Sequence, residues 1–204
     1  MKTRDRILLC ALELFNEHGE PNVTTLDIAN ELDISPGNLY YHFRGKEALL
    51  EDLLADFMAK TYDLLHLEAQ IETLEAEDYW LFLHLLFEAI VADRFLFQDL
   101  SNLMGRYPFI AKSMRQWIEA LRKILRTLLL ALREQERLCC DDRALERLLD
   151  ALCQTVLFWL DYQRISQGEG DQPTVAVQQV LGLLLPYLDQ DTRDWMSNLI
   201  ERYD

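Results

Sequence analysis

Glycine and proline are scarce in this 204-residue chain, at 7 and 5. With so few backbone breakers and so much Leu, Ala, Glu, Arg and Gln, the composition excludes a turn-rich β fold and favours helix throughout. No stretch alternates polar and apolar residues as a half-buried strand does, and there is no repeat or low-complexity tract. Cysteine is sparse too. Four residues, without the spacing of a disulfide framework or a zinc site, point to a reducing cytoplasm and to no metal or other cofactor. The adjacent Cys139 and Cys140 pair poorly with each other in ordinary disulfide geometry, and Asp141 and Asp142 make a poor setting for an activated thiol. Long apolar runs are also missing. The longest charge-free run, Gln172 to Leu188, is too short and too rich in glutamine for a membrane span. The apolar amino-terminal stretch is interrupted by Glu13 and keeps a helical period, unlike a signal peptide. What the chain does have is 50% hydrophobic residues, enough to bury a real core, and a net charge of -15.

Residues 24 to 46, TTLDIANELDISPGNLYYHFRGK, are the most informative stretch. They follow an amphipathic helix over about Lys2 to His18, with Ile7, Ala11, Leu14 and Phe15 at helical spacing and Gly19 as its stop. Thr24 or Thr25 caps a second helix, whose first turn carries Asp27 and whose buried stripe is Ile28, Ala29 and Leu32. Asp33 takes a turn position that favours a left-handed backbone. Ser35 caps a third helix with Pro36 at its first position. Leu39 and Phe43 point inward, four residues apart, and Gly45 ends the unit. This is the outline of a helix-turn-helix, whose second helix is sized for the DNA major groove.

The stretch TTLDIANELDISPGNLYYHFRGKEALL resembles the DNA-binding domain of the TetR family of bacterial regulators over roughly residues 4–50. Ile28-Ala29, Leu39-Tyr40-Tyr41-His42-Phe43 and Lys46-Glu47-Ala48-Leu49 fall in register; Asp33 departs from the usual Gly. The resemblance implies an all-α homodimer: an N-terminal three-helix helix-turn-helix domain, residues 1–46, and a larger helical domain for ligand binding and dimerisation, residues 47–204. It further implies that Thr25 binds phosphate at the second helix's N-terminus. Ser35, Pro36, Gly37 and Asn38 would face base edges or nearby phosphates, and Tyr40, His42 and Lys46 would contact phosphates. Tyr41 could reach a base or the backbone. The chemistry is compatible: Gly37 permits close approach, and Asn38 can read adenine through two hydrogen bonds.

Charge sets a limit on this reading. Residues 1–48 hold five basic side chains (Lys2, Arg4, Arg6, Arg44, Lys46) against eight acidic ones, a net of -3. All five lie at the segment's two ends, where helix termini would meet phosphates. Placed contacts rather than bulk charge are therefore expected, with weak non-specific binding and a modest salt slope.

After residue 50 the patterns are broader. Helices are expected from Lys46 to about Ala69, from near Asp78, from Asp99 to Gly105, from Pro108 to Glu136, over Asp142 to Gln167, from Pro173 to Tyr187 and over Thr192 to Tyr203, with GEGDQP as the clearest loop. The run YWLFLHLLFEAIVADRFLFQDLSNLMGRYP loosely resembles the C-terminal domain of one TetR subgroup. Its aromatic density suggests an apolar effector pocket between helices. By family analogy the candidates are Phe57, Tyr62, Phe87, Val91, Met104, Trp117, Leu121 and Trp159. His66 and His84 could add polar contacts or be ordinary core or surface residues. ALCQTVLFWL (Ala151–Leu160) and the segment from Pro173 to Leu188 lack charge on every face and need burial on all sides. They match the family's four-helix dimer interface, with Leu152, Val156, Ala176, Val180, Gly182 and Leu184 as candidates.

The leading expectation is a cytoplasmic, ligand-responsive repressor. It would bind a palindromic double-stranded operator as a homodimer, with no membrane partner, and be released by an apolar or aromatic small molecule. Two alternatives stand beside it. One is a helical interaction protein that has lost DNA binding, given the acidic N-terminal segment. The other is an enzyme using the apolar pocket, for which no nucleophile triad, metal cluster or phosphate loop is present; a dyad of His84 with Glu88 or Asp93 is conceivable.

Overall fold

The computed structural model describes residues 2–66, 76–167 and 172–202. Among them, eleven α-helices follow one another: α1 Thr3–His18, α2 Thr25–Glu31, α3 Pro36–His42, α4 Lys46–Leu65, α5 Ala76–Ala92, α6 Phe95–Gln98, α7 Leu100–Arg106, α8 Pro108–Glu134, α9 Asp142–Gln167, α10 Pro173–Leu184 and α11 Gln190–Arg202. Among the described residues there is no strand, only an isolated antiparallel bridge between Leu138 and Leu188. The architecture is all-α, as the composition predicts. Some helix limits differ from expectation. α4 is described through Leu65. The segment before α7 winds into a further short helix, α6, whose Phe95, Leu96 and Phe97 are all buried. α10 gives way to a 3-10 turn at Leu185–Tyr187 because Pro186 cannot continue an α-helix. Residues 168–171 of the expected GEGDQP loop and 67–69 of the expected fourth helix lie outside the described residues.

The chain forms two compact units. Unit 1 comprises residues 1–60 and 92–114, so the helix-turn-helix segment is packed together with most of α4 and with α6 and α7. Its core is aromatic. Phe15 packs on Phe95 and Phe57 on Phe97, each pair with ring centroids 5.5 Å apart. Asn16 ties α1 to the start of α6, donating to the Ala92 carbonyl at 2.8 Å and accepting from the Phe95 N–H at 3.0 Å. The buried Asp93 is paired with Lys60 of α4 at 2.7 Å. Burial pushes its carboxyl up and Lys60 opposes the shift.

Unit 2 comprises residues 61–91 and 115–204. Its helices are long and their inward stripes are fully covered: Leu121, Ile124 and Leu125 on α8, Leu149, Leu152 and Val156 on α9, Ala176, Val177 and Val180 on α10. The outer faces of α8 and α9 are laced by ion pairs: Arg126 with Glu146 at 2.6 Å, Arg122 with Glu146 at 3.0 Å and with Asp150, and Arg133 with Asp142 at 2.7 Å.

Candidate nucleic-acid interface

Two seven-residue helices make up the candidate interface, and both are too short to persist alone. Local bonds define their ends. Thr24 begins α2 with a reciprocal cap: its Oγ1 accepts from the Asp27 N–H at 3.2 Å, while its own N–H and hydroxyl donate to Asp27 Oδ2 at 2.8 and 2.6 Å. These bonds hold the Asp27 carboxyl below the usual range. At the other end of α2, the Ile34 N–H donates to the Ala29 carbonyl at 3.0 Å and the Asp33 N–H to the Asn30 carbonyl at 3.1 Å. That is the Schellman pattern, and it requires a left-handed residue at position 33. Asp33 supplies it at φ 52°, so the turn keeps its geometry without glycine. Ser35 then caps α3, its Oγ accepting from the Asn38 N–H at 3.1 Å, with Pro36 in the first turn.

Leu39 and Phe43 anchor α3 inward, each 2% exposed. The opposite face is bare. Ser35, Pro36, Gly37, Asn38, Tyr40 and Tyr41 are all exposed, Tyr41 by 83%, and Tyr41 and His42 meet edge to face at 5.1 Å. A side chain at Gly37 would meet only Ser35 Oγ, at an ordinary 3.9 Å, so nothing inside the chain requires glycine there. Thr25 and His42 are half-buried beside this face. Lys46 opens α4 after Gly45, which turns the chain at φ 115°.

The basic residues are less available than their positions suggest. Arg4 is paired with Asp52 and lies over the Phe43 ring at 4.7 Å. The Lys46 ammonium is 2.8 Å from the wholly buried Glu20 carboxylate. That carboxylate also binds Arg106 at 2.8 Å and the Tyr107 hydroxyl at 2.7 Å. Sequence reasoning missed Glu20, Arg106 and Tyr107, because a buried glutamate looks like any other glutamate until its partners are known.

The comparisons with known proteins come down on one side. The sequence pattern described as "Bacterial regulatory proteins, tetR family" matches residues 7–53, and that of the TetR "Bacterial transcriptional repressor" matches residues 57–195. The chain belongs to the TetR family. The two patterns are described as those of bacterial regulatory proteins and of a bacterial transcriptional repressor. It is 40% identical over 55 residues to the HTH-type transcriptional repressor KstR2 of Mycolicibacterium smegmatis, covering 27% of each chain. It is 38% identical over 60 residues to the tetracycline repressor protein class D of Escherichia coli, covering 29% of this chain and 28% of that one. The match thus spans only about a quarter of these relatives' length. A solved TetR-family transcriptional regulator from Marinobacter aquaeolei VT8 covers 100% of this chain and 99% of its own, at 29% identity and a TM-score of 0.85. The ketosteroid regulator KstR2 of Mycobacterium tuberculosis shares the fold at 22% identity and a TM-score of 0.63, covering 93% of this chain and 96% of its own.

The remaining candidate residues of this TetR-family chain are divided between the two units. Phe57 and Met104 belong to unit 1; Tyr62, Phe87, Val91, Trp117, Leu121 and Trp159 belong to unit 2. Phe57, Phe87, Trp117, Leu121 and Trp159 are buried, Val91 and Met104 half-buried, and Tyr62 exposed. Within unit 2, Phe87 meets Trp159 edge to face at 5.6 Å, and Trp117 Nε1 donates to Thr61 Oγ1 at 2.9 Å. Unit 2 also holds an apolar cavity of about 30 Å³ walled by Tyr79, Phe82, Leu128, Leu152, Leu181 and their neighbours, which involves none of the eight. Of the six dimer candidates, Leu152, Val156, Ala176, Val180 and Leu184 are covered by their own chain, and only Gly182 is open. The faces left bare carry Phe158, Tyr162 and Ile165 instead. His84 Nε2 lies 3.2 Å from Glu88 Oε1, one turn on along α5, whereas Asp93 is taken by Lys60. Among the described residues no group of His, Cys, Asp and Glu could hold a metal ion, and no helix is long and apolar enough to cross a membrane.

Proposed function

We propose that this TetR-family chain is a ligand-responsive repressor that binds a palindromic operator as a homodimer and is released by an apolar or aromatic effector. Residues 1–46 serve as the DNA-binding segment, and residues 47–204 bind effector and dimerise. The observation that carries the reading is the outer face of α3: two tyrosines, an asparagine and an uncrowded glycine, all turned away from the core that Leu39 and Phe43 occupy. Phenol and amide groups suit phosphate and base edges, and Gly37 leaves the helix free to approach them. Asn38 reads a base. Thr25, Ser35, Pro36, Tyr40, Tyr41, His42 and Lys46 set register on the backbone.

The second copy of the chain covers the outer face of α9 and α10. Phe158, Tyr162 and Ile165 stand open there, and a groove of about 250 Å³ lined by Gln154, Thr155, Phe158, Trp159, Tyr162 and Gln179 carries no charge. The effector occupies the aromatic interior of unit 2, around Phe87, Trp117, Leu121 and Trp159. It enters by displacing side chains, since all four are buried by their own chain.

Selection of the tightest-binding duplex from a random-sequence library tests the reading. Asn38→Ala should cost about 1–3 kcal/mol of discrimination between that duplex and random DNA. Equal weakening of both would remove Asn38 as a base reader. Failure to enrich any duplex at low salt would favour a helical interaction protein that no longer binds DNA.

A further inference from the structure

The Glu20 carboxylate joins three stretches of unit 1 that are far apart in sequence, and its side chain is wholly inaccessible. Oε1 accepts from Lys46 Nζ at 2.8 Å and from the Tyr107 hydroxyl at 2.7 Å, and Oε2 accepts from an Arg106 nitrogen at 2.8 Å. Lys46 also donates to the Glu20 carbonyl. The Arg106 guanidinium lies 5.2 Å from the Tyr107 ring centroid, and its other terminal nitrogen donates to the Tyr107 hydroxyl at 3.3 Å. One carboxylate thus serves two cations and a phenol. Burial first, and then the bond to and charge of Glu20, push the Tyr107 hydroxyl up to about 12, so it is a donor throughout the physiological range.

A buried carboxylate stripped of its donors is strongly unfavourable. The three donors therefore substitute for one another: the less Arg106 and Tyr107 supply, the more firmly Lys46 is held. Lys46 is the first residue of α4, and a phosphate at the proposed interface competes with Glu20 for its ammonium. We infer that Arg106 and Tyr107 are positioning residues that set, through Glu20, how available Lys46 is to DNA. With both in place, Glu20 can release Lys46 to a phosphate. With Arg106 withdrawn, Lys46 becomes the main counter-charge of a buried carboxylate; with Tyr107 withdrawn, Oε1 keeps Lys46 as its donor; in both cases the phosphate contact weakens. Tyr107 immediately precedes α8, a 27-residue helix that continues well past Met114, where unit 1 ends. A shift of α8 is thereby converted into a change in one DNA contact. This inference rests on the reading of Lys46 as a phosphate ligand.

The test uses the full chain and the duplex selected from the random library, with affinity measured across salt concentrations and folding checked by thermal melting. Lys46→Gln should lower the slope of log K against log salt by about 0.9, the signature of one phosphate contact. Tyr107→Phe and Arg106→Gln remove no DNA-facing group, yet should lower the slope part or all of that way, with affinity falling on the order of ten-fold at most. Neither should have an effect once Lys46→Gln or Glu20→Gln is already present. A slope unchanged by both Tyr107→Phe and Arg106→Gln, while Lys46→Gln lowers it, would overturn the relay and leave the Lys46 contact standing. A loss that persists in the Lys46→Gln background would also overturn it. If Lys46→Gln itself leaves the slope unchanged, the Lys46 contact and the relay both fall. Should Arg106→Gln not fold, Tyr107→Phe, which deletes one hydroxyl, decides the matter.

Discussion

The short helices α2 and α3 and the long helices of unit 2 are held by different forces. α2 and α3 have seven residues each, and their limits are drawn by bonds reaching no further than five residues along the chain: Thr24 with Asp27, Ser35 with Asn38, Ile34 with Ala29. α8 and α9, of 27 and 26 residues, are placed by what lies against their apolar stripes. The contrast teaches where each kind of residue is exposed for a purpose. On α3, bare aromatics sit among polar groups on a locally braced helix, ready for a polar partner. On α9, bare aromatics border an uncharged groove on a helix whose other side is already full, ready for an apolar one.

Four substitutions sharpen or break this contrast. The largest effect is expected from Leu149→Ala, at the fully covered centre of α9. It should cost about 2–5 kcal/mol of unfolding free energy in urea titration. A loss no larger than a capping loss would mean that α9 is not held by its inward stripe. Next, Phe158→Glu should leave folding intact while weakening self-association by about 2 kcal/mol or more, read by sedimentation. An unchanged oligomeric state would place the partner's surface elsewhere. Asn38→Ala, described above, comes third and should alter DNA discrimination without altering stability. The smallest is Thr24→Ala, expected to cost about 1 kcal/mol through loss of the cap. Its pH dependence is diagnostic. The folded Asp27 carboxyl is held below its ordinary value of 3.8 by Thr24, so that part of the stabilisation is present above 3.8. It is lost as pH falls through the lower folded value. The gap between wild type and Thr24→Ala should therefore be widest near neutrality and narrow in acid; a constant gap would show that the hydroxyl bond from Thr24 to the Asp27 carboxylate contributes nothing.

The same distinction explains what can be read in the sequence. Caps, the turn at Asp33 and the inward pair Leu39 and Phe43 are local, and residue type and spacing are enough to locate them. The fold class follows from composition and period. Which side of α9 and α10 is covered is not legible in this way. A stripe apolar on every face does not announce its neighbour, and Val156 and Ala176 are buried by their own chain while Phe158 and Tyr162 are not. Nor are ion pairs that close over long separations. Arg4 and Lys46 read as candidates to meet phosphates, yet Asp52 and Glu20 already hold them. Such pairs have no spacing rule, since their geometry exists only after the helices have packed.

The Glu20 cluster has a consequence for anyone who would exchange parts among relatives. A chimera that takes residues 1–46 from this chain and the remainder from another regulator imports a carboxylate whose bonded partners at 106 and 107 stay behind. The natural seam for recombination is not after the third helix. It follows the two stretches of unit 1, which would have to travel together if the transplanted head is to keep its interior neutralised.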